Sequence, residues 1–131
     1  SDKFDPFGPH MMIDAYNCDA TVLDNPRALY QMLEDLVELL EMHMLVPPYI
    51  IKAVDNGKKD PGGWTGFTII AESHISFHSF VKRRFITIDI YSCKEFDTKK
   101  AQEHIQNFLH TTDMDVYMQK RGKRYPADNV I

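Results

Sequence analysis

Three strand-like segments follow one another in the middle of the chain, and they constrain the fold most. Residues 65–72, 74–80 and 85–92 are rich in β-branched and aromatic side chains, which favour strands. Short connections separate them. We therefore expect a largely antiparallel sheet that contains all three segments.

Further strands and two helices surround this centre. Residues 10–18 alternate in the manner of a strand, and residues 49–54 and 114–119 are predicted strands. Asn25 followed by Pro26 is a typical helix start. The apolar stripe that follows, at steps of three and four residues, predicts a helix to about Leu45, ended by the two prolines at 47 and 48. Asp97 and Thr98 cap a second predicted helix.

The predicted order is therefore β-α-β-β-β-β-α-β. Two helices cannot cover both faces of a six-stranded sheet, so we expect an α+β two-layer sandwich with a mostly antiparallel sheet and both helices on one face. The other face would be covered by a second copy, which predicts a homodimer. Residues 1–131 form one domain, with residues 120–131 as a flexible tail.

Composition excludes several classes of function. The 44% hydrophobic and 26% charged content is that of a soluble globular domain, and the net charge of −4 gives no reason to expect nucleic acid or an anionic membrane as a partner. Two cysteines, Cys18 and Cys93, are too few for a disulfide scaffold and predict reduced thiols in the cytoplasm. The histidines show no metal-ligand spacing, and His43 and His104 fall on the predicted helices, where we expect them to face solvent or to lie next to a helix cap.

Polar side chains share one face of two predicted strands. Because a strand alternates its faces, His74, Ser76 and His78 point one way and Ile75 and Phe77 the other. The next strand likewise separates Ile86, Ile88 and Ile90 from Thr87, Asp89, Tyr91 and Cys93. Taken alone, such a face is typical of a wet surface as well as of a site.

The combined pattern resembles a known family. The run Thr65-Gly66…Ala71-Glu72-Ser73-His74-Ile75-Ser76-Phe77-His78, with Cys93 twenty residues after Ser73, is similar to the short prokaryotic S-adenosylmethionine (AdoMet) decarboxylases. Residues 8–19 resemble the first strand of that family, although Asn17 stands where a glycine is usual.

The resemblance implies a chain that cleaves itself between residues 72 and 73. Ser73 would attack the carbonyl of Glu72 to form an ester, and elimination and hydrolysis would leave a pyruvoyl group, the cofactor, in place of Ser73. His78 would move protons during processing, with help from the Thr65 hydroxyl. The pyruvoyl ketone would condense with the substrate amine and withdraw electrons during decarboxylation, and Cys93 would return the proton.

The substrate-binding residues depart from the family pattern. The family usually carries Trp-Pro-Glu where this chain has Phe80-Val81-Lys82, and an aromatic residue where it has Lys59. Phe80 keeps the stacking surface for adenine, but an ammonium cannot accept hydrogen bonds from a ribose diol. We therefore expect a changed substrate, L-ornithine or L-arginine, within polyamine biosynthesis. Decarboxylation of AdoMet for spermidine synthesis is the alternative.

Two other classes remain open. A non-catalytic regulatory relative would share the fold, although such a protein would tend to lose Ser73, His78 or Cys93. A generic α/β binding module would carry the motif by accident, since fold alone fixes no chemistry. Self-cleavage of the chain would distinguish the enzyme from both the regulatory relative and the binding module.

Overall fold

A six-stranded sheet forms the centre of the computed structural model, which describes residues 5–58 and 62–131. Its strands lie in the order β2-β3-β4-β5-β1-β6, and each neighbouring pair is antiparallel. This confirms the α+β class and the antiparallel sheet. The strands are β1 (Gly8–Ala15), β2 (Met44–Ala53), β3 (Gly63–Ile70), β4 (Ser73–Phe80), β5 (Phe85–Ser92) and β6 (Met114–Arg121).

Helices pack on one face of this sheet, as expected. They are α1 (Ala20–Leu23), α2 (Pro26–Leu39) and α3 (Thr98–Leu109). The side chain of Asn25 accepts the Ala28 N–H at 3.1 Å, and the side chain of Asp97 accepts the Lys100 N–H at 3.0 Å, so both long helices begin at side-chain caps. The one-turn helix α1 and a 3-10 turn at Val81–Arg83 were not predicted.

The core lies between the helices and the sheet. The inward-facing side chains of β1, β4 and β5 are almost fully buried against the apolar stripe of α2 and one face of α3. The alternation inferred for β4 and β5 is therefore confirmed. The largest fully buried side chains of this layer are Met11, Ile13, Leu29, Met32, Leu33, Leu36, Ile75, Phe77, Ile86 and Ile88.

Helix α2 ends at Leu39, so the prediction that it continues to about Leu45 is wrong. Glu41 adopts a left-handed conformation (φ +55°). The Met42 N–H then donates to the Val37 carbonyl at 2.9 Å and the Glu41 N–H to the Glu38 carbonyl at 3.1 Å, which is the Schellman pattern of helix termination. The sequence did not predict this helix end, because the residue at the left-handed position is a glutamate and glycine is the usual residue at such a position.

The prolines do not end the helix but lie within β2. This strand is at the edge of the sheet, and its pairing with β3 shifts register between Met44 and Val46 and again between Val46 and Tyr49. Edge positions and bulges are where a sheet tolerates proline. At the opposite edge, β6 runs through Arg121, so the segment expected as a tail from residue 120 begins as paired strand.

The second face of the sheet is here called the open face. None of the helices in the described part of the chain packs on it. It exposes aromatic side chains: Tyr49 is 56% exposed, Phe67 39% and Tyr117 51%. Exposed aromatic groups on a sheet are costly in water. This face is the one for which the sequence predicts a second copy as the cover.

Burial along α2 gives a matched test of the core. Leu36 is 0% exposed, whereas Leu39, one turn further along the helix, is 37% exposed. Leu36→Ala leaves a cavity between helix and sheet and should lower the free energy of unfolding by about 2–5 kcal/mol. Leu39→Ala should lower it by less than about 1 kcal/mol. Urea titration of both variants checks this, and equal losses would contradict the packing described.

Candidate functional site

The bond between Glu72 and Ser73 lies where β3 turns into β4. Ser73 is the first residue of β4 and has a φ of +156°, a backbone conformation that residues other than glycine rarely adopt. Such a residue typically stores about 1–3 kcal/mol of strain, and strain of this kind concentrates at functional sites. The strained residue is the serine that the sequence predicts as the self-processing nucleophile.

The carbonyl of Glu72 is held by the neighbouring strand. The Cys93 N–H donates to it at 2.8 Å, directly after β5 ends. The register explains this contact, since Ser73 pairs with Ser92. A backbone donor on a carbonyl oxygen stabilises the negative charge that develops there when a nucleophile attacks the carbon.

The side chain of Glu72 is buried, with 7% of the residue exposed. His43 holds both of its oxygens: the backbone N–H donates to Oε1 at 3.0 Å, and ring Nδ1 lies 2.7 Å from Oε2. Burial raises the pKa of Glu72, but the hydrogen bonds from the His43 side chain and backbone outweigh it and hold the pKa below its usual value. No local sequence pattern predicts this role of His43, because its contact with Glu72 joins residues 29 positions apart.

Cys93 is an exposed free cysteine, and its backbone N–H contacts this bond through the Glu72 carbonyl. Glu72, Ser73 and Cys93 are thus brought together at one end of β4. Cys18 is different, because it is buried and burial raises the pKa of its thiol to about 11. Cys18 is therefore a core residue, and Cys93 is the cysteine with access to the site.

Thr65 and His78 form a second group at the other end of β4. They are direct partners in the β3–β4 register, and Thr65 Oγ1 lies 3.0 Å from His78 Nδ1. His78 follows Ser73 by five residues on one strand, which at about 3.3 Å per residue places their Cα atoms roughly 16 Å apart. A single chain therefore does not bring His78 to Ser73.

The residues predicted to bind substrate lie near this second group but face different directions. Phe80 packs against Phe85 on the open face, with ring centroids 5.4 Å apart. Lys82 lines a groove of about 420 Å³ at the end of the sheet, which also contains Lys52, Asp24 and Asp55. Lys59 lies outside the described residues.

A polar cluster on the open face adjoins the Ser73 end. His10 Nε2 lies 2.9 Å from Asp89 Oδ1, and the Arg121 guanidinium lies 4.8 Å from the centre of the Tyr91 ring. The ring of His74 packs edge-on against Tyr91. Burial lowers the pKa of His74, and the charges of His10 and Arg121 lower it further against the opposing effect of Asp89. These effects favour the neutral form of His74.

Within residues 5–58 and 62–131, no three His, Cys, Asp or Glu side chains are placed to hold a metal ion together. The helices in the same ranges include none that is long and apolar enough to cross a membrane.

These features define a class of protein. The chain is an α+β sandwich in which a strained serine, a backbone donor on the preceding carbonyl and an exposed cysteine meet at one end of β4. The family model for S-adenosylmethionine decarboxylase matches residues 9–122. The chain therefore belongs to the S-adenosylmethionine decarboxylase family, whose members are pyruvoyl-dependent decarboxylases.

Individual relatives agree with this assignment. The S-adenosylmethionine decarboxylase proenzyme of Clostridium botulinum (strain Loch Maree / Type A3) is 30% identical over 88% of this chain and 95% of its own length. The proenzyme of Methanococcus aeolicus is also 30% identical, over 88% of this chain and 93% of its own length. The crystal structure of the adenosylmethionine decarboxylase from Aquifex aeolicus VF5 matches with a TM-score of 0.75 at 26% identity, over 89% of this chain and 92% of that one.

Proposed function

We propose that this protein is a self-processing pyruvoyl-dependent decarboxylase of polyamine biosynthesis whose substrate is L-ornithine or L-arginine. The observation that carries the proposal is the strained Glu72–Ser73 bond, with its carbonyl hydrogen-bonded to the Cys93 N–H. The alternative substrate, AdoMet, is favoured by the names of the relatives.

Processing begins with a shift of the acyl group. The Ser73 hydroxyl attacks the Glu72 carbonyl carbon, a C–O ester bond forms, the C–N amide bond breaks, and the hydroxyl proton passes to the Ser73 nitrogen. The Cys93 N–H stabilises the charge on the carbonyl oxygen during this attack. Loss of the Ser73 α-proton then expels the Glu72 carboxylate. Water then hydrolyses the resulting imine, the Ser73 nitrogen leaves as ammonia, and a pyruvoyl group remains in place of Ser73 at the head of residues 74–131.

The decarboxylation step uses the same end of β4. The pyruvoyl group would supply the electron sink that an amino-acid decarboxylase needs. Cys93 would protonate the substrate carbon, since it is an exposed cysteine next to residue 73 and a thiol can act as a general acid. Both cysteines are free thiols, which supports a reducing compartment such as the cytoplasm.

The lysine at position 82 supports a substrate other than AdoMet. Lys82 stands where the family carries an acid, and its ammonium cannot accept hydrogen bonds from ribose hydroxyls. Asp24 and Asp55 line the same groove as Lys82 and Lys52, so their formal charges balance. The two lysines therefore do not give the groove a net positive charge that would repel a cationic amino acid.

A homodimer would complete the site. His78 and Thr65 lie roughly 16 Å from Ser73 along one rigid strand, so the proton-transfer role proposed for His78 requires the His78 of another copy. The exposed aromatic side chains of the open face provide a surface for that copy. Two copies packed through their open faces, with their β4 strands in opposite directions, would each complete the other's site.

Self-processing is tested by the mass of the freshly purified protein. The wild type should give two chains divided between Glu72 and Ser73, the second with a pyruvoyl mass at its start. Ser73→Ala should remain whole because it lacks the attacking hydroxyl. Ser76→Ala, on the open face of the same strand, should cleave as the wild type does. A wild-type chain that stays whole would favour the non-catalytic relative.

Two inactive variants should rescue each other if the site is shared between copies. His78→Ala retains Ser73, and Ser73→Ala retains His78, so neither should cleave when expressed alone. Co-expressed, the mixed dimer holds one complete site, and only the His78→Ala chain should be cut. A mass tag on the Ser73→Ala chain distinguishes the two. Cleavage of His78→Ala alone, or no cleavage of the mixture, would contradict the shared site.

Substrate choice is measured by release of labelled CO2 from AdoMet, L-ornithine and L-arginine. We expect kcat/KM for one of the two amino acids to exceed that for AdoMet by about tenfold or more, because the ribose-binding carboxylate is missing. Lys82→Glu should raise kcat/KM for AdoMet, whereas Lys99→Glu, on an exposed face of α3, should leave it unchanged. Turnover of AdoMet alone by the wild type would exclude the changed substrate.

A further inference from the structure

His43 contacts the two residues that precede the bond proposed to break, although its side chain is 76% exposed and the processing steps above do not use it. Besides holding both oxygens of the Glu72 carboxylate, it accepts the Ala71 N–H on its own carbonyl at 2.8 Å. Three hydrogen bonds therefore join one residue to the two residues that precede Ser73.

These contacts fix Glu72 from two sides. His43 holds the buried carboxylate, and the Cys93 N–H holds the carbonyl oxygen. With both ends of the residue held, the peptide plane before Ser73 cannot rotate freely. Attack on a carbonyl depends steeply on such orientation, since a small misplacement of reacting groups can cost up to about 100-fold in rate.

We propose that His43 is a positioning residue for self-cleavage: by clamping the Glu72 carboxylate it orients the Glu72 carbonyl toward the Ser73 hydroxyl. This inference rests on the proposed self-processing. Nδ1 of His43 is engaged with Glu72 Oε2, so we assign it the orientation of Glu72 and no proton transfer at Ser73.

The test follows the cleavage of newly made full-length chain in a cell-free translation reaction. His43→Leu removes the ring donor and should slow cleavage by about 10- to 100-fold. His43→Asn places an amide N–H near the position of Nδ1 and should cleave within about threefold of the wild type. His43→Gln carries its amide one bond further out and should be slow. The matched control is His110→Leu, which breaks an exposed pair with Asp19 3.0 Å apart and should cleave normally.

A second readout separates positioning from folding. Each substitution is also made with Ser73→Ala, and the melting temperature of the uncleaved chain is measured. Cleavage rates that follow melting temperature across Leu, Asn and Gln would show a merely structural role and overturn the proposal. The proposal would be supported if His43→Asn cleaves faster than His43→Gln while both have the same melting temperature. This comparison holds even if His43→Leu folds poorly.

Hydroxylamine identifies the step affected, because it cuts esters. If His43 orients the carbonyl for attack, His43→Leu should hold little ester, and hydroxylamine should release little of residues 1–72. Abundant release would place the defect after ester formation and overturn the proposal. A wild type that never cleaves would overturn the proposed function and this inference together. A cleaving wild type with an equally fast His43→Leu would overturn this inference alone.

Discussion

The pairing of β4 with β5 is the constraint on which the site depends. Its register sets Ser73 opposite Ser92, and the next residue, Cys93, therefore presents its N–H to the Glu72 carbonyl at 2.8 Å. One antiparallel ladder thus places both the backbone donor and the exposed residue Cys93 at this bond. A shift of one residue would remove the donor and turn every buried side chain of the strand toward the open face.

The end of α2 places His43 on the other side of Glu72 from Cys93. Because the helix stops at Leu39 through the left-handed Glu41, the chain reverses early and His43 arrives beside Glu72. Had the helix continued to Leu45, His43 would lie on a helical surface and the buried carboxylate would lack its partner. A buried carboxylate without hydrogen bonds is strongly unfavourable, so this helix end and the burial of Glu72 depend on each other.

Local patterns in the sequence were sufficient to predict the sheet and the polar and apolar faces of β4 and β5, because alternation is a property of neighbouring residues. The candidate residues around Ser73 came instead from the resemblance to a known family. Local patterns did not predict where α2 ends, since Leu40 and Met44 continue the apolar period past a stop made by a glutamate. They did not predict the role of His43 either, because that contact joins distant segments. Nor could they show that Ser73 and His78 lie at opposite ends of a strand, since a motif places its residues along the chain and not in a site.

That separation makes the open face central to the proposed chemistry. A strand is stiff, so no local movement of β4 could bring His78 to Ser73. A second copy in the opposite direction would align the Ser73 end of one β4 with the His78 end of the other, and the symmetry would form two equal sites at once. The same packing would bury Tyr49, Phe67 and Tyr117, whose exposure is otherwise unfavourable. In this arrangement one hydrophobic contact would both stabilise the proposed dimer and assemble its active sites, so that a chain could not process itself before it had found its partner.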